Sequence, residues 1–420
     1  MKPTFVISSP FDTYSGYGAR ARDVIKAVVK TDKYNVQLIT QGWGNTRFGF
    51  CKNNPEWEFL LDLIIKGPLS SKPNIWAQIT VPNEFQQVGE YNIGFTAGLE
   101  TTTVPGEWVE GMNRMDLNIV SSEHSKKSFL NSTYEKKNQQ NQSIGKLEIT
   151  KPIEVLFEGA NLETYFPDNS PCMIDFDIKE SFAYLFVGHW LQGGLGEDRK
   201  NVGLLVKAFF ETFKNKNKKP ALILKTSGAN SSYVDRNEIL KKINSIRNSC
   251  DSKNLPNVYL LHGDFTDEEM NSLYNHTKVK AMVSLTKGEG YGRPLLEFTL
   301  TKKPLITTAW SGQMDYLKPE FTTLIGGNLT NVHPSAANKM ITKESQWFSP
   351  SHAEIGKALK DVFENYKNYV DKGKRQAYHS KTNFNWDKMK ENLDELLNNN
   401  LPKFSIEMEL VLPDLNLPTL

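Results

Sequence analysis

Eleven residues constrain this chain more than any others: Lys287-Gly288-Glu289-Gly290-Tyr291-Gly292-Arg293-Pro294-Leu295-Leu296-Glu297. The apolar run 279–285 before them reads as a buried parallel strand, since strands covered on both faces carry continuous apolar residues. After the loop, Leu295, Leu296, Phe298 and Thr299 begin a helical pattern. The spacing therefore predicts a strand–loop–helix junction with three glycines in its loop. Such a junction presents backbone N–H groups to an anion, and glycine lets the backbone come close. Two carboxylates flank it eight residues apart, Glu289 in the loop and Glu297 about one turn into the helix.

Phosphate alone would not be surrounded by carboxylates. Carboxylates accept hydrogen bonds from sugar hydroxyls, often in pairs. A ligand with hydroxyls at both ends and phosphates between them suits both groups: a nucleotide-sugar, ribose on one side and donor sugar on the other. Taken singly, the same residues are a glycine turn with an acid favoured near a helix N-terminus. The whole string points to the ligand.

Residues 289–297, Glu-Gly-Tyr-Gly-Arg-Pro-Leu-Leu-Glu, resemble the signature of family 4 (group 1) retaining glycosyltransferases, which have the GT-B fold. Lys303-Pro304-Leu305-Ile306-Thr307-Thr308 and Ser311-Gly312-Gln313-Met314-Asp315-Tyr316-Leu317 match the family's next strand and its Gly-containing turn. The resemblance covers residues 5–395 and is dense between 180 and 320.

At 420 residues the chain has room for two domains of ordinary size. Hydrophobic content of 39% and aromatic content of 11% are those of a soluble globular protein. Fifty basic against 48 acidic side chains leave +2, so no global field argues for nucleic acid. Cys51, Cys172 and Cys250 match no metal or redox spacing and read as reduced thiols. Residues 1–7 are too short in apolar residues for a signal peptide. No run approaches the ~20 apolar residues of a membrane span, so a cytoplasmic protein is expected. Abundant Asn and Lys hint at an AT-rich genome, as in many viruses.

Residues 5–7 read as the first strand, 8–18 as a turn-rich loop and 19–29 as a helix. Gly16 and Gly18 let the backbone pass close to a ligand there, although no third glycine completes a dinucleotide fingerprint. In the resembling family this loop lies on the cleft, near donor phosphates and acceptor. Strand 36–40 leads into an aromatic, glycine-rich loop at 41–50. Loops at strand C-terminal ends carry ligand contacts in open α/β sheets, so Trp43 and Arg47, with Tyr17, are candidate acceptor residues. A short helix at 60–65 and a strand at 75–81 follow. Many family members place a histidine near the end of that strand; here the run is Trp76-Ala77-Gln78-Ile79-Thr80-Val81-Pro82-Asn83. Residues 92–113 resemble the family's strand, glutamate turn and Trp-bearing helix. A strand at 117–122 precedes a helix capped by Ser122, with His124 read as a surface or cap residue. Residues 131–149, rich in Asn, Gln and Lys, read as a solvated insertion or flexible loop. The run 153–167 resembles the domain-closing segment.

A second domain is expected from about Pro171, its first strand at 182–187 followed by Gly188-His189-Trp190, a glycine-rich loop and Arg199-Lys200-Asn201. Cations at the mouth of a helix N-terminus add to amides that favour a diphosphate. The resembling family has arginine directly after the glycine and lysine at the helix start. Lys200 matches the lysine, while His189 stands at the arginine position, so the arginine role is either lost or taken by Arg199. Gly263 and Asp264 fall where the family's base pocket lies. Thr266-Asp267-Glu268-Glu269 is an N-capped helix start. Residues 353–368 are amphipathic, and a final helix from 383 through 397 would return to the first domain. Residues 401–420 read as an added edge strand or a partner segment.

The expected architecture is α/β: two doubly wound Rossmann-like domains facing a cleft (GT-B), at 1–170 and 171–382, with 383–420 returning. As the resemblance implies, Glu297 accepts from ribose and Glu289 from the donor sugar. Lys200, with Arg199 or His189 and the amides of Gly290 to Gly292, holds the diphosphate, with Tyr291, Arg293 and Leu295 beside them. The donor would be a UDP- or GDP-sugar, with no permanent cofactor and no metal; Asp175-Phe176-Asp177 reads as chance spacing. The acceptor would be a saccharide or small molecule. Alternatively it is a hydroxylated base in viral DNA, with Arg20, Arg22, Arg47 and Lys52 lining the cleft. A reading from another class is a non-catalytic sugar- or glycan-binding protein of the same fold.

Overall fold

The computed structural model describes residues 2–138, 140, 142–174, 177–228 and 232–404. The first half runs β1 (Thr4–Ser9), α1 (Gly16–Lys30), β2 (Asn35–Thr40), α2 (Phe59–Asp62), β3 (Ile75–Ile79), β4 (Tyr91–Thr96), α3 (Gly106–Asn113), β5 (Leu117–Val120), α4 (Glu123–Leu130), β6 (Tyr134–Lys137), β7 (Ser143–Leu147) and β8 (Ile153–Val155). Six of these strands form one parallel sheet in the order β2-β1-β3-β4-β5-β8. The second half runs β9 (Ala183–Val187), α5 (Val202–Phe213), β10 (Ala221–Lys225), α6 (Tyr233–Asn248), β11 (Val258–Leu261), α7 (Asp267–Asn275), β12 (Val279–Ser284), α8 (Arg293–Thr299), β13 (Leu305–Thr308), β14 (Thr323–Ile325), β15 (Gly327–Asn331), β16 (Gln346–Pro350), α9 (His352–Glu364), α10 (Tyr366–Asn383) and α11 (Trp386–Asn400). Its parallel sheet has the order β11-β10-β9-β12-β13-β14. Each sheet and its helices form one Rossmann-like body.

Apolar strands explain both sheets: residues 5–9 of β1 are buried, as are Ala183 to Phe186 of β9 and Ala281 to Ser284 of β12. Fully burying one large aliphatic side chain stabilises by roughly 1.5–3 kcal/mol. The last helix, α11, buries Met389, Leu393 and Leu397 in the core of the first body, not the second. The chain passes between bodies at adjacent points. Ala160 N donates to Phe384 O, and Trp386 N donates to Ala160 O, both at 2.9 Å.

Two local expectations need correction. The helix expected at 19–29 starts at Gly16, because the Ser15 side chain caps it by accepting from Gly18 N at 2.9 Å. Gly16 and Gly18 are thus first-turn residues, not loop. Within 131–149, residues 134–137 and 143–147 are not flexible loop: β6 and β7 pair as an antiparallel hairpin, whose second strand is largely exposed. The amphipathic run 353–368 covers α9, which buries Ile355, Leu359 and Val362 on one face, and the start of α10. The tail reading falls on 405–420, and Asp175-Phe176 likewise lies outside the described residues.

Candidate active site

In the second sheet β9 and β12 are neighbours, and the strand order reverses between them. Ligands of open α/β sheets bind where the order reverses, outside the strand C-termini. The loop after β9 carries His189, Arg199 and Lys200; the loop after β12 carries Glu289 and its glycines. They are laced together by Lys287 N donating to Arg199 O at 2.9 Å. Lys200 Nζ donates to both carboxylate oxygens of Glu289, at 2.5 and 2.6 Å. Only 13% of the Lys200 side chain and 7% of the Glu289 side chain is exposed, so this is a nearly buried ion pair. Burial works to raise the Glu289 carboxyl, but Lys200 and Arg199 hold it below its ordinary range. Burial also pulls Lys200 down, and Glu289 opposes that pull.

His189 Nδ1 lies 3.1 Å from Ser227 Oγ. Burial, then the nearby Lys200, Arg199 and Lys225 charges, push this imidazole down. That direction favours the uncharged imidazole, and Arg199 stands beside Lys200 as a cation bordering the same cavity. Arg199 reaches across the cleft and pairs with Glu100 of the first body, each side chain about one-fifth exposed.

The motif's glycines serve two purposes. Gly292 holds φ +94° at the start of α8, where its carbonyl accepts from Tyr316 OH at 2.7 Å. Gly288 and Gly290 permit contact between bodies: a Cβ on Gly288 would lie 2.1 Å from Glu100 O, and one on Gly290 2.6 Å from Ala97 O. Ser122 Oγ also donates to Gly290 O at 2.5 Å.

A cavity of about 650 Å³ lies between the two bodies. Gly16, Tyr17, Trp43 and Arg47 border it from the first body; His189, Arg199, Lys200, Asp264, Glu289, Gly290, Tyr291, Gly292 and Arg293 border it from the second. Tyr17 stacks on Trp43 with ring centroids 3.9 Å apart, and the Arg47 guanidinium lies 4.4 Å from the centre of the Tyr14 ring. Tyr17 OH is 2.9 Å from Thr96 Oγ1 and accepts from Ala97 N at 3.1 Å, with burial pushing the phenol up to about 12.

Gly18, Gly263, Leu295 and Glu297 do not border the cavity. A Cβ on Gly18 would meet Thr13 O at 2.5 Å, and the Gly263 carbonyl accepts from Lys225 Nζ at 2.6 Å. Leu295 packs in the second body's core. Glu297 lies behind Arg293, whose Nε is 3.5 Å from its Oε1 and whose Nη1 donates to Asp23 on α1 at 2.6 Å. Glu158 is 3.8 Å from the same guanidinium. Burial opposes the charge on Arg293, but Asp23, Glu297 and Glu158 hold it well above its ordinary range. Burial pushes Glu297 up to about 7, and Arg293 counters only part of this.

Of the four cations grouped as a DNA-facing set, two are structural. Arg20 donates to the carbonyls of Leu156 and Phe157 at 2.5 and 2.9 Å. Arg22 donates to those of Phe11 and Thr13 at 2.7 and 2.9 Å and covers the Phe50 ring. Arg20 borders the cavity, but both arginines spend donors on the protein's own carbonyls and so have fewer to offer a phosphate. His124 is neither surface nor cap: its Nε2 is 3.2 Å from Leu99 O and its ring packs on Trp310 of the second body. Sequence reasoning missed Glu100 and Glu158 as cavity residues. Both follow parallel strands, β4 and β8, and that position was the signal for them. Among the described residues no group of three or more His, Cys, Asp and Glu stands together as a metal site, and no helix is long and apolar enough to cross a membrane.

No protein-family model matches the chain, and no curated protein matches it in sequence. Solved structures do. The Anabaena protein HepE, in complex with UDP and glucose, is similar at 12% identity and TM-score 0.60, over 94% of this chain and 100% of that one. A glycosyltransferase from Rickettsia africae is similar at 13% identity and TM-score 0.60, over 95% and 99%. Sucrose-phosphate synthase from Thermosynechococcus elongatus is similar at 13% identity and TM-score 0.58, again over 95% and 99%. At such identities the likeness speaks for architecture. The chain has the GT-B fold, two Rossmann-like bodies facing a cleft.

Proposed function

We propose that the protein is a retaining glycosyltransferase of the family 4 type, moving a sugar from a nucleoside-diphosphate sugar to an acceptor hydroxyl without a metal. The observation that carries this reading is the meeting of Lys200 and Glu289, beside Arg199, in the cavity between the bodies. The diphosphate takes Lys200 and Arg199, aided by the amides of Gly290 to Gly292. Glu289, released from Lys200, accepts from the donor-sugar hydroxyls. Glu297, assigned to ribose by the resemblance, reaches it only if its contact with Arg293 opens.

As the bond from the sugar C1 to phosphate oxygen breaks, the electron pair leaves with the nucleoside diphosphate. Fixed cations and amides stabilise the charge developing there. The acceptor oxygen bonds to C1 on the same face, and its proton passes to the departing phosphate. UDP- and GDP-sugars are the donors to try first; HepE binds UDP. The acceptor reading is a saccharide or small molecule against Tyr17, Trp43 and Arg47. It is favoured over duplex DNA because Arg20 and Arg22 are engaged internally.

The test is a thermal-shift and hydrolysis panel of UDP-, GDP-, ADP- and dTDP-sugars with wild type, Lys200→Ala and Glu289→Gln. One donor is expected to stabilise the wild type and to lose that effect in Lys200→Ala, with turnover down about 10²–10³-fold. Binding without turnover would favour the non-catalytic sugar-binding reading. No stabilisation by any donor overturns the proposal.

A further inference from the structure

We infer that Glu100 is a further substrate-touching residue: the carboxylate that receives the acceptor hydroxyl once the donor has drawn Arg199 away from it. The inference rests on the glycosyl-transfer reading above and adds to it a residue from the first body.

Glu100 lies just beyond β4, in a turn held from both sides. Ser128 Oγ donates to Thr101 O at 2.8 Å, and Thr102 N donates to Gln346 O of the second body at 2.9 Å. Its backbone abuts Gly288, where a Cβ would come within 2.1 Å of its carbonyl oxygen, so it stands next to the residue preceding Glu289. Its side chain borders the cavity, is 19% exposed and pairs with Arg199. It is also close enough to Tyr17, the base of the Trp43 stack, for its charge to act on that phenol.

Charge accounting then dictates the rest. Glu100, Arg199, Lys200 and Glu289 form a neutral set of two cations and two carboxylates. A diphosphate competes for both cations and releases both carboxylates. Glu289 sits on the donor side and gains sugar hydroxyls. Glu100 belongs to the first body and shares the cavity with Tyr17 and Trp43, the residues assigned to the acceptor. A part-buried carboxylate that has lost its cation needs another hydrogen-bond donor. The acceptor hydroxyl supplies one, its oxygen is thereby aimed, and donor binding precedes acceptor binding. Glu100 takes the hydrogen bond only; the proton still leaves with the phosphate.

The experiment compares wild type with Glu100→Gln, using UDP-glucose, or whichever of the four donors stabilises the wild type, and water as the acceptor probe. Loss of one hydrogen bond to a charged group corresponds to a roughly 10–100-fold fall in kcat for donor hydrolysis. UDP affinity by calorimetry is expected to stay unchanged or tighten, because Arg199 is freed. Wild-type turnover by Glu100→Gln overturns the inference. So does a loss of UDP affinity with kcat intact, the signature of a structural latch. A wild type that binds no donor overturns the transferase reading instead, and calorimetry separates the cases.

Discussion

Glu297 is buried in the second body behind an arginine that also pairs with Asp23 of the first. A carboxyl raised from 4.5 to about 7 binds its proton more tightly folded than unfolded. Its contribution is therefore complete below the unfolded value and is lost as pH rises through about 7. The full size is on the order of 3 kcal/mol. Glu297→Gln removes this dependence, so the wild-type melting temperature is expected to fall relative to the variant between pH 5 and pH 8. A constant difference would refute the assignment. At this scale the sequence was informative about position and silent about partners. Arg199, Lys200 and Glu289 reach the cavity because strand ends and glycine loops are local patterns. That Arg199 meets Glu100, or that Arg293 turns to Asp23, follows from docking of distant segments, which no spacing encodes; the Arg293–Glu297 contact, four residues apart on α8, is the kind that spacing does encode.

Among the elements, α7 was legible because its start is chemical: Thr266 Oγ1 accepts from Glu269 N at 3.2 Å, and Glu269 Oε2 accepts from Thr266 N at 2.8 Å. Thr266→Ala is expected to cost about 1 kcal/mol in urea unfolding. By contrast, α10 hides from periodicity because the face it buries is Gly373, Gln376, Ala377 and Ser380. Gln376 satisfies Lys318 N at 3.0 Å and Tyr316 O at 2.8 Å, so hydrogen bonds do there what apolar residues do elsewhere. Gln376→Ala leaves both unmatched, and a loss of about 2–3 kcal/mol is expected by the same assay. The β6–β7 hairpin was invisible for a related reason: Ser143 to Lys146 are all exposed, so no alternation marks a buried face.

At the scale of the whole molecule, the bodies meet through Arg293–Asp23, Arg199–Glu100, Ser122–Gly290 and Glu123 N–Asp315, the last at 2.9 Å. The close fit at Gly288 makes this contact sensitive. Gly288→Ala is expected to hold the bodies apart, lowering donor turnover at least tenfold while each body keeps its own core. Small-angle scattering should then show a larger radius of gyration, and an unchanged radius with full activity would refute it. The two-body architecture was readable from alternating strands and helices; the closure was not, because it depends on backbone-to-backbone fit. The helix that completes the first core has a consequence in time. Ala160 and Trp386 are joined in space but separated by 226 residues of synthesis (386 − 160). At 5–20 residues per second that is a wait of roughly 10–45 s. Until then the groove that takes Met389, Leu393 and Leu397 stays open on the ribosome. The half made first is thus the half finished last, and a nascent chain arrested before α11 would present a chaperone with that groove.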